Sequence, residues 1–274
     1  VAINTILAPI FIFMFDWGIR GAAIATVSAQ VIALLWQLKQ FNNANELLHF
    51  RRGIFRLKRK IVFDSLAIGM SPFLMNLAAC LIVILINQGL KKYGGDLAIG
   101  AFGIVNRLVF IVVMIVMGLN QGMQPIAGYN FGAKLYDRVN KVLKLTIIYA
   151  TCVTTFGFLV GMLAPNLVVG IFTSDAELTE LSATGLRITV MFFPIIGFQM
   201  VTSNFFQSIG MAGKAIFLSL TRQMLILLPC LLILPHFFGV AGVWYSMPVS
   251  DLLASLIALV MLVYQFRKFK TAAA

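Results

Sequence analysis

The sequence predicts an all-α integral membrane protein, a polytopic helix bundle of about eight transmembrane segments. Three observations carry this reading. Hydrophobic residues make up 61% of the 274 positions and charged residues 11%, against roughly 45–50% and about 25% in soluble domains. Eight runs meet or approach the roughly 20 apolar residues that a helix needs to cross a bilayer. The formal charge of +12, which in a soluble chain would point to nucleic acid, is gathered mostly in the gaps between those runs. A cytosolic enzyme does not fit such a composition. Cys80, Cys152 and Cys230 lie singly inside apolar runs and read as buried small hydrophobes. His49 and His236 are far apart. Neither a disulfide framework, a metal site nor a nucleophile cluster is implied, so the chain reads as non-enzymatic.

The runs span residues 1–15, 19–38, 65–90, 97–123, 139–164, 181–209, 214–235 and 238–266. The first is short and opens Val1-Ala2-Ile3-Asn4, without the basic segment or cleavage site of a signal peptide. It reads as a cut helix, and the chain as part of a longer protein. The gap from Gln40 to Phe63 is the longest. In it Leu47, Phe50, Ile54, Leu57 and Ile61 recur at helical spacing with Arg51, Arg52, Arg56, Lys58, Arg59 and Lys60 between them. That pattern describes a basic amphipathic helix on the inner leaflet, either a connector between two bundles or a regulatory target.

Lys and Arg set orientation, because cytoplasmic loops hold the excess of positive charge. One set of alternate gaps holds Lys39, Arg51, Arg52, Arg56, Lys58, Arg59, Lys60, Lys134, Arg138, Lys141, Lys144, Lys214, Arg222, Arg267, Lys268 and Lys270, which is 16 of the 21 basic residues. The other set holds Arg20, Lys91 and Lys92 with Asp16, Asp96, Asp175, Glu177 and Glu180. The alternation supports the count of eight and predicts a cytoplasmic C-terminus.

An internal repeat extends the architecture. At a constant offset of 221, Leu7, Gly18, Gly21, Ala33 and Leu35 match Leu228, Gly239, Gly242, Ala254 and Leu256. The second run thus pairs with the eighth, six crossings later. A six-helix repeat keeps its direction in the membrane, so a complete repeat predicts twelve helices.

The most specific stretch is Gly118-Leu119-Asn120-Gln121-Gly122-Met123-Gln124-Pro125-Ile126-Ala127-Gly128-Tyr129-Asn130-Phe131-Gly132-Ala133-Lys134. With Tyr93-Gly94-Gly95-Asp96-Leu97-Ala98, Phe206-Gln207-Ser208-Ile209-Gly210, Arg222-Gln223 and Gly239-Val240-Ala241-Gly242-Val243-Trp244 through Pro248 and Asp251, it resembles the multidrug and toxic compound extrusion (MATE) family, in its MepA-like branch. The resemblance covers the whole chain. It implies a secondary antiporter in the bacterial cytoplasmic (inner) membrane that exports organic, often cationic and amphipathic, compounds in exchange for protons or sodium ions. No cofactor beyond that ion is implied, and the partners are small substrates, lipid and the rest of the protein, not nucleic acid. It further implies two six-helix lobes around a central cavity: residues 1–39 finish the first, 40–63 join the lobes, 64–266 form the second and 267–274 are a cytoplasmic tail.

Polar residues inside spans cost roughly 2.5–3.5 kcal/mol each when ionisable, so each asks for a reason. Asp251 follows Pro248, which frees the carbonyl at position 244; the acid is either an ion-coupling group near the cavity or a packing acid paired with Arg222 or a backbone donor. Arg107 attracts a substrate carboxylate or pairs with an acid. Arg187 lies near the outer end of its run and can snorkel. Asn76, Gln121, Gln124, Gln199, Ser203 and Gln207 line a cavity or hold helices together. Gln199, Ser203 and Gln207, spaced i, i+4, i+8, form one stripe. The 13 methionines and 24 phenylalanines suit varied apolar ligands or plain packing. Many relatives carry acids where this chain has Ala79-Cys80 and Ile196-Gly197, which argues against a sodium site of that type here. Ala8, in Asn4-Thr5-Ile6-Leu7-Ala8-Pro9, stands where the family's proton-linked aspartate would be. A lipid-linked oligosaccharide flippase of the same superfamily, or a non-transporting membrane scaffold, are the competing readings.

Overall fold

The computed structural model describes residues 2–43, 49–50 and 58–273. They divide into two compact units, Val1–Leu66 and Ala67–Ala274. The amphipathic segment expected from Leu47 to Ile61 lies largely outside the described residues.

In the first unit α1 (Ala2–Pro9) runs into a π-helical turn (Ile10–Met14) and turns back into α2 (Gly18–Phe41). Stacked and tilted rings of Phe11, Phe15 and Trp17, with centroids 5.4–5.9 Å apart, fill the turn.

The second unit begins within α3 (Arg59–Gly132). Its apolar part, Asn76–Gly132, is 57 residues long, or about 86 Å at 1.5 Å per residue. That is nearly three times the roughly 30 Å of a hydrocarbon core. The excess is resolved at Gly95, whose φ of 67° and ψ of −161° reverse the chain into two limbs, 76–94 and 96–132. α4 (Tyr136–Leu163) and the short α5 (Pro165–Val169) follow. α6 (Ala176–Val190) starts at Asp175, whose carboxylate accepts from the Leu178 amide at 3.0 Å, a helix cap that satisfies an otherwise orphaned donor. α7 (Phe193–Ser208) continues α6 after a 55° bend. The cause is Pro194, which has no N–H to offer the Val190 carbonyl. α8 (Ala212–Leu220), a π-helical stretch (Thr221–Leu227) and α9 (Leu228–Phe238) make one continuous rod, and the wider turns end just before Pro229. α10 (Val240–Ala273) closes the unit, with Pro248 inside it.

Among the described residues five helical stretches are long and apolar enough to cross a bilayer, six with the bent α6–α7 pair. Dividing α3 at Gly95 adds a seventh, and the shorter apolar helix Ala2–Met14 occupies the eighth run seen in the sequence. Large apolar side chains such as Phe156, Leu163, Leu167, Phe237, Val260 and Tyr264 are exposed along these helices. A soluble surface rarely tolerates so large an apolar expanse, whereas lipid is its natural solvent. The protein is a polytopic membrane helix bundle. One reading is corrected: Cys80 and Cys152 are exposed and Cys230 only half-buried. A small apolar side chain costs nothing against lipid tails, so hydrophobicity does not imply an interior place in such a protein.

The core of the second unit has two parts. Toward the turns at Gly95 and Gly239, Leu90, Val105, Leu186, Val190 and Trp244 pack together. Toward the turns at Lys134 and Gly210, Val116, Leu143, Phe205, Phe206 and Leu218 do so. α4 and α7 approach closely where a Cβ on Gly197 would stand only 2.8 Å from the Ala150 carbonyl oxygen, the small-residue contact by which membrane helices associate. Met200 packs against both parts of the core.

The internal repeat reappears as geometry. Gly18 and Gly239 both take positive φ, 50° and 57°, and three residues on, Gly21 and Gly242 both press on a preceding carbonyl. A Cβ would come within 2.5 Å of the Phe11 oxygen and 2.3 Å of the Leu234 oxygen respectively. Each copy uses one glycine to reverse the chain and a second to let the returning helix touch the one before it.

Candidate functional site

Two departures from regular helix and one proline-bearing helical turn meet at one cavity of about 260 Å³. Thr189 and Phe193 flank the α6–α7 bend, Arg222, Gln223 and Leu227 come from the π-helical stretch, and Met247, Ser250 and Asp251 surround Pro248. The limbs of α3 complete it with Ile82, Val83 and Ile86 on one side and Phe102, Asn106 and Val109 on the other. Broken helices at membrane depth are tolerated where they line a cavity, and π-helical turns gather at functional sites.

Its charged centre is an ion pair. Arg222 donates from Nε to Asp251 Oδ1 at 2.7 Å. The two ends are unequally placed: the Asp251 side chain is 5% exposed and that of Arg222 33%. Both residues line the cavity, and the guanidinium is the more accessible of the two. Neither Nη atom of Arg222 has a partner among the described residues. The hydroxyls are already spent, Thr189 donating to the Gly185 carbonyl at 2.8 Å and Ser250 to the Met247 carbonyl at 2.7 Å. Gln223 Oε1 and the neighbouring Thr221 Oγ1 are buried without a partner among the described residues, the local cost of the widened helix.

Of the candidate cavity and ion-coupling residues singled out in the sequence, only Asp251 lines this cavity, together with Arg222, the partner the sequence offered it. Asp251 engages Arg222 and not the backbone freed by Pro248. Gln199 and Ser203 are buried while Gln207 is exposed. Ser203 is turned to α8, sharing a hydrogen bond with Ser219 at 3.0 Å and reaching the Ala215 carbonyl at 3.4 Å. Asn76, Arg107, Gln121 and Gln124 are exposed, and Arg107 has no acidic partner within 4.0 Å among the described residues. Arg187 borders an open cleft with Glu180 and Asn166 instead. In the stretch Gly118–Lys134 the buried amides are Asn120, 3% exposed, and Asn130, whose Nδ2 donates to the Ile126 carbonyl at 2.8 Å. Sequence reasoning passed over Asn106. Its signal was the face Phe102, Asn106, Val109 and Val113, spaced i, i+4, i+7, i+11, all of which line the cavity.

The family model MatE matches residues 67–233, well over half of the chain. The chain belongs to the MatE family. This is a family of secondary transporters, not of enzymes. Among MatE relatives, the multidrug export protein MepA of Staphylococcus aureus (strain MSSA476) is 29% identical over 271 residues, 97% of this chain and 58% of MepA. The solved structure of the MATE multidrug transporter DinF-BH superposes with a TM-score of 0.83 at 35% identity, covering 98% of this chain and 60% of that one. An outward-facing multidrug resistance MATE family transporter of the MOP superfamily shares the fold, with a TM-score of 0.85 at 22% identity, over 98% of this chain and 61% of its own. The chain thus spans about three-fifths of the length of the relatives it matches.

Proposed function

We propose that this chain is the larger part of a drug exporter of the bacterial cytoplasmic membrane, a secondary antiporter that expels organic, cationic or amphipathic compounds by alternating access. The observation that carries the reading is the whole-chain likeness to MepA, a multidrug export protein, together with 35% identity to DinF-BH, a multidrug transporter. Alternating access needs one bundle to rock against another around a shared site. Residues 64–266 supply one six-helix bundle, residues 1–39 belong to its counterpart, and residues 40–63 connect them on the cytoplasmic side. The coupling ion is a proton or sodium. Asp251 is committed to Arg222 and Ala8 cannot titrate, so we place the coupling acid elsewhere in the protein.

A second reading, flipping of a lipid-linked oligosaccharide, draws on the accessible guanidinium of Arg222 lining the cavity, since phosphates need such a partner. The test is made in cells expressing the intact gene product. Lowered ethidium accumulation with no change in the sidedness of a labelled lipid-linked sugar supports export; the reverse result replaces it with flipping.

A further inference from the structure

From the placement of Arg222 we infer that the cavity inside the second unit is a carboxylate-binding subsite, taking an aryl or alkyl carboxylate with its apolar body among Ile82, Ile86, Val109, Phe193 and Met247. The inference deepens the export reading by naming a ligand class that organic-cation export does not include. Three features support it. The guanidinium is already oriented, because its Nε is tied to Asp251, and this leaves the two Nη groups as a fork matched to a carboxylate's two oxygens. The charge is accessible: a third of Arg222 is open while Asp251 is almost wholly covered, and Arg222 lines the cavity, so the guanidinium is the more reachable end of the pair for an incoming anion and repels an incoming ammonium. The donor inventory agrees. Of the six polar side chains lining the cavity, the two hydroxyls already give their protons to backbone carbonyls and Asp251 accepts only. The donors left over are the Arg222 fork and the amides of Asn106 and Gln223; the open acceptors are their amide oxygens and the second Asp251 oxygen, and the fork is the charged group among the donors.

The volume sets the size of the ligand. About 260 Å³ falls just below the roughly 300–1,000 Å³ of pockets that enclose a drug-sized molecule. A small aromatic acid, or the acidic end of a larger amphiphile, fits this space.

The matched probes are benzoate and benzylammonium, nearly the same shape with opposite charge, titrated by saturation-transfer NMR against the intact purified protein in detergent. Benzoate is expected to bind at least tenfold more tightly, and the double variant Arg222→Gln/Asp251→Asn, which removes both charges together and leaves none orphaned, is expected to lose that preference. Equal or tighter binding of benzylammonium overturns the inference, as does an unchanged benzoate affinity in a folded double variant. Should that variant not fold, the wild-type comparison decides, joined by Arg222→Lys, which keeps the charge but not the fork and should weaken benzoate about fivefold or more; unchanged affinity there counts against the subsite. The measurement requires no transport, so it can fail while ethidium export stands, and it can succeed in a protein that exports nothing.

Discussion

Asp251 shows how a membrane helix keeps a charge that its solvent would reject. Alone in a span it would cost several kcal/mol; at 2.7 Å from Arg222 it neutralises a second charge that would cost as much. Removing one partner of a buried pair destabilises by about 3–5 kcal/mol because the other is left unpaired. Here Arg222 keeps contact with the cavity, so for Asp251→Asn we expect a smaller loss, about 1–3 kcal/mol, seen as a lower melting temperature of the detergent-solubilised protein. Arg222→Gln/Asp251→Asn should recover most of it, because it leaves no orphaned charge. If the carboxylate is a structural partner, dye export by Asp251→Asn should persist with its dependence on the proton gradient intact. An inserted variant that binds dye but ignores the gradient would make Asp251 the coupling group.

Among the elements, the glycines of the repeat are the most exacting positions. At Gly242 an added methyl would stand 2.3 Å from the Leu234 oxygen, a backbone atom that cannot step aside as a side chain can. α9 and α10 would have to separate, so Gly242→Ala should cost about 1–3 kcal/mol or more, the range for overpacked contacts. Gly103 lies mid-helix on an exposed face with nothing within 4 Å of its would-be Cβ. There Ala relieves the backbone entropy that Gly carries and should stabilise by roughly 0.5–1 kcal/mol. Thermal unfolding of the two variants, compared side by side, checks opposite signs for one chemical change. The repeat itself was legible in sequence as a few shared residues; that Gly239 reverses the chain and Gly242 admits a carbonyl was not, because identity at a position does not tell which neighbour touches it.

For the molecule as a whole, the testable quantity is the path through the bilayer. The structure places Arg222 inside the span Gly213–Phe238 and not in a loop, and the 15-to-3 division of charges that remains, with the helix order, predicts that reporters fused after Lys60, Arg138 and Lys270 are cytoplasmic and those at Gly94 and Glu177 external. The site at Glu177 is the most informative. It precedes the bent α6–α7 pair, and a cytoplasmic reporter there would mean that this pair enters and leaves on the same side instead of crossing. Protease protection or alkaline phosphatase activity reads the outcome.

Segment lengths, the gathering of charge into gaps and the glycine spacing were legible from the residues alone, because each is a property of the chain that adds up along its length. The bundle class and the positions of seven crossings and the shorter apolar helix follow from such sums. The meeting of side chains across the bundle is different in kind. Neighbouring residues on a helix point about 100° apart, so Asn106 lines the cavity and Arg107 does not, and the stripe through Ser203 turns onto Ser219. In a helix apolar nearly all round, periodicity carries little information about that rotation. It is settled by the packing of the other helices, and so it was the folded bundle that drew Arg222, Asp251 and Asn106 to one cavity and left Gln121 and Gln124 at the surface.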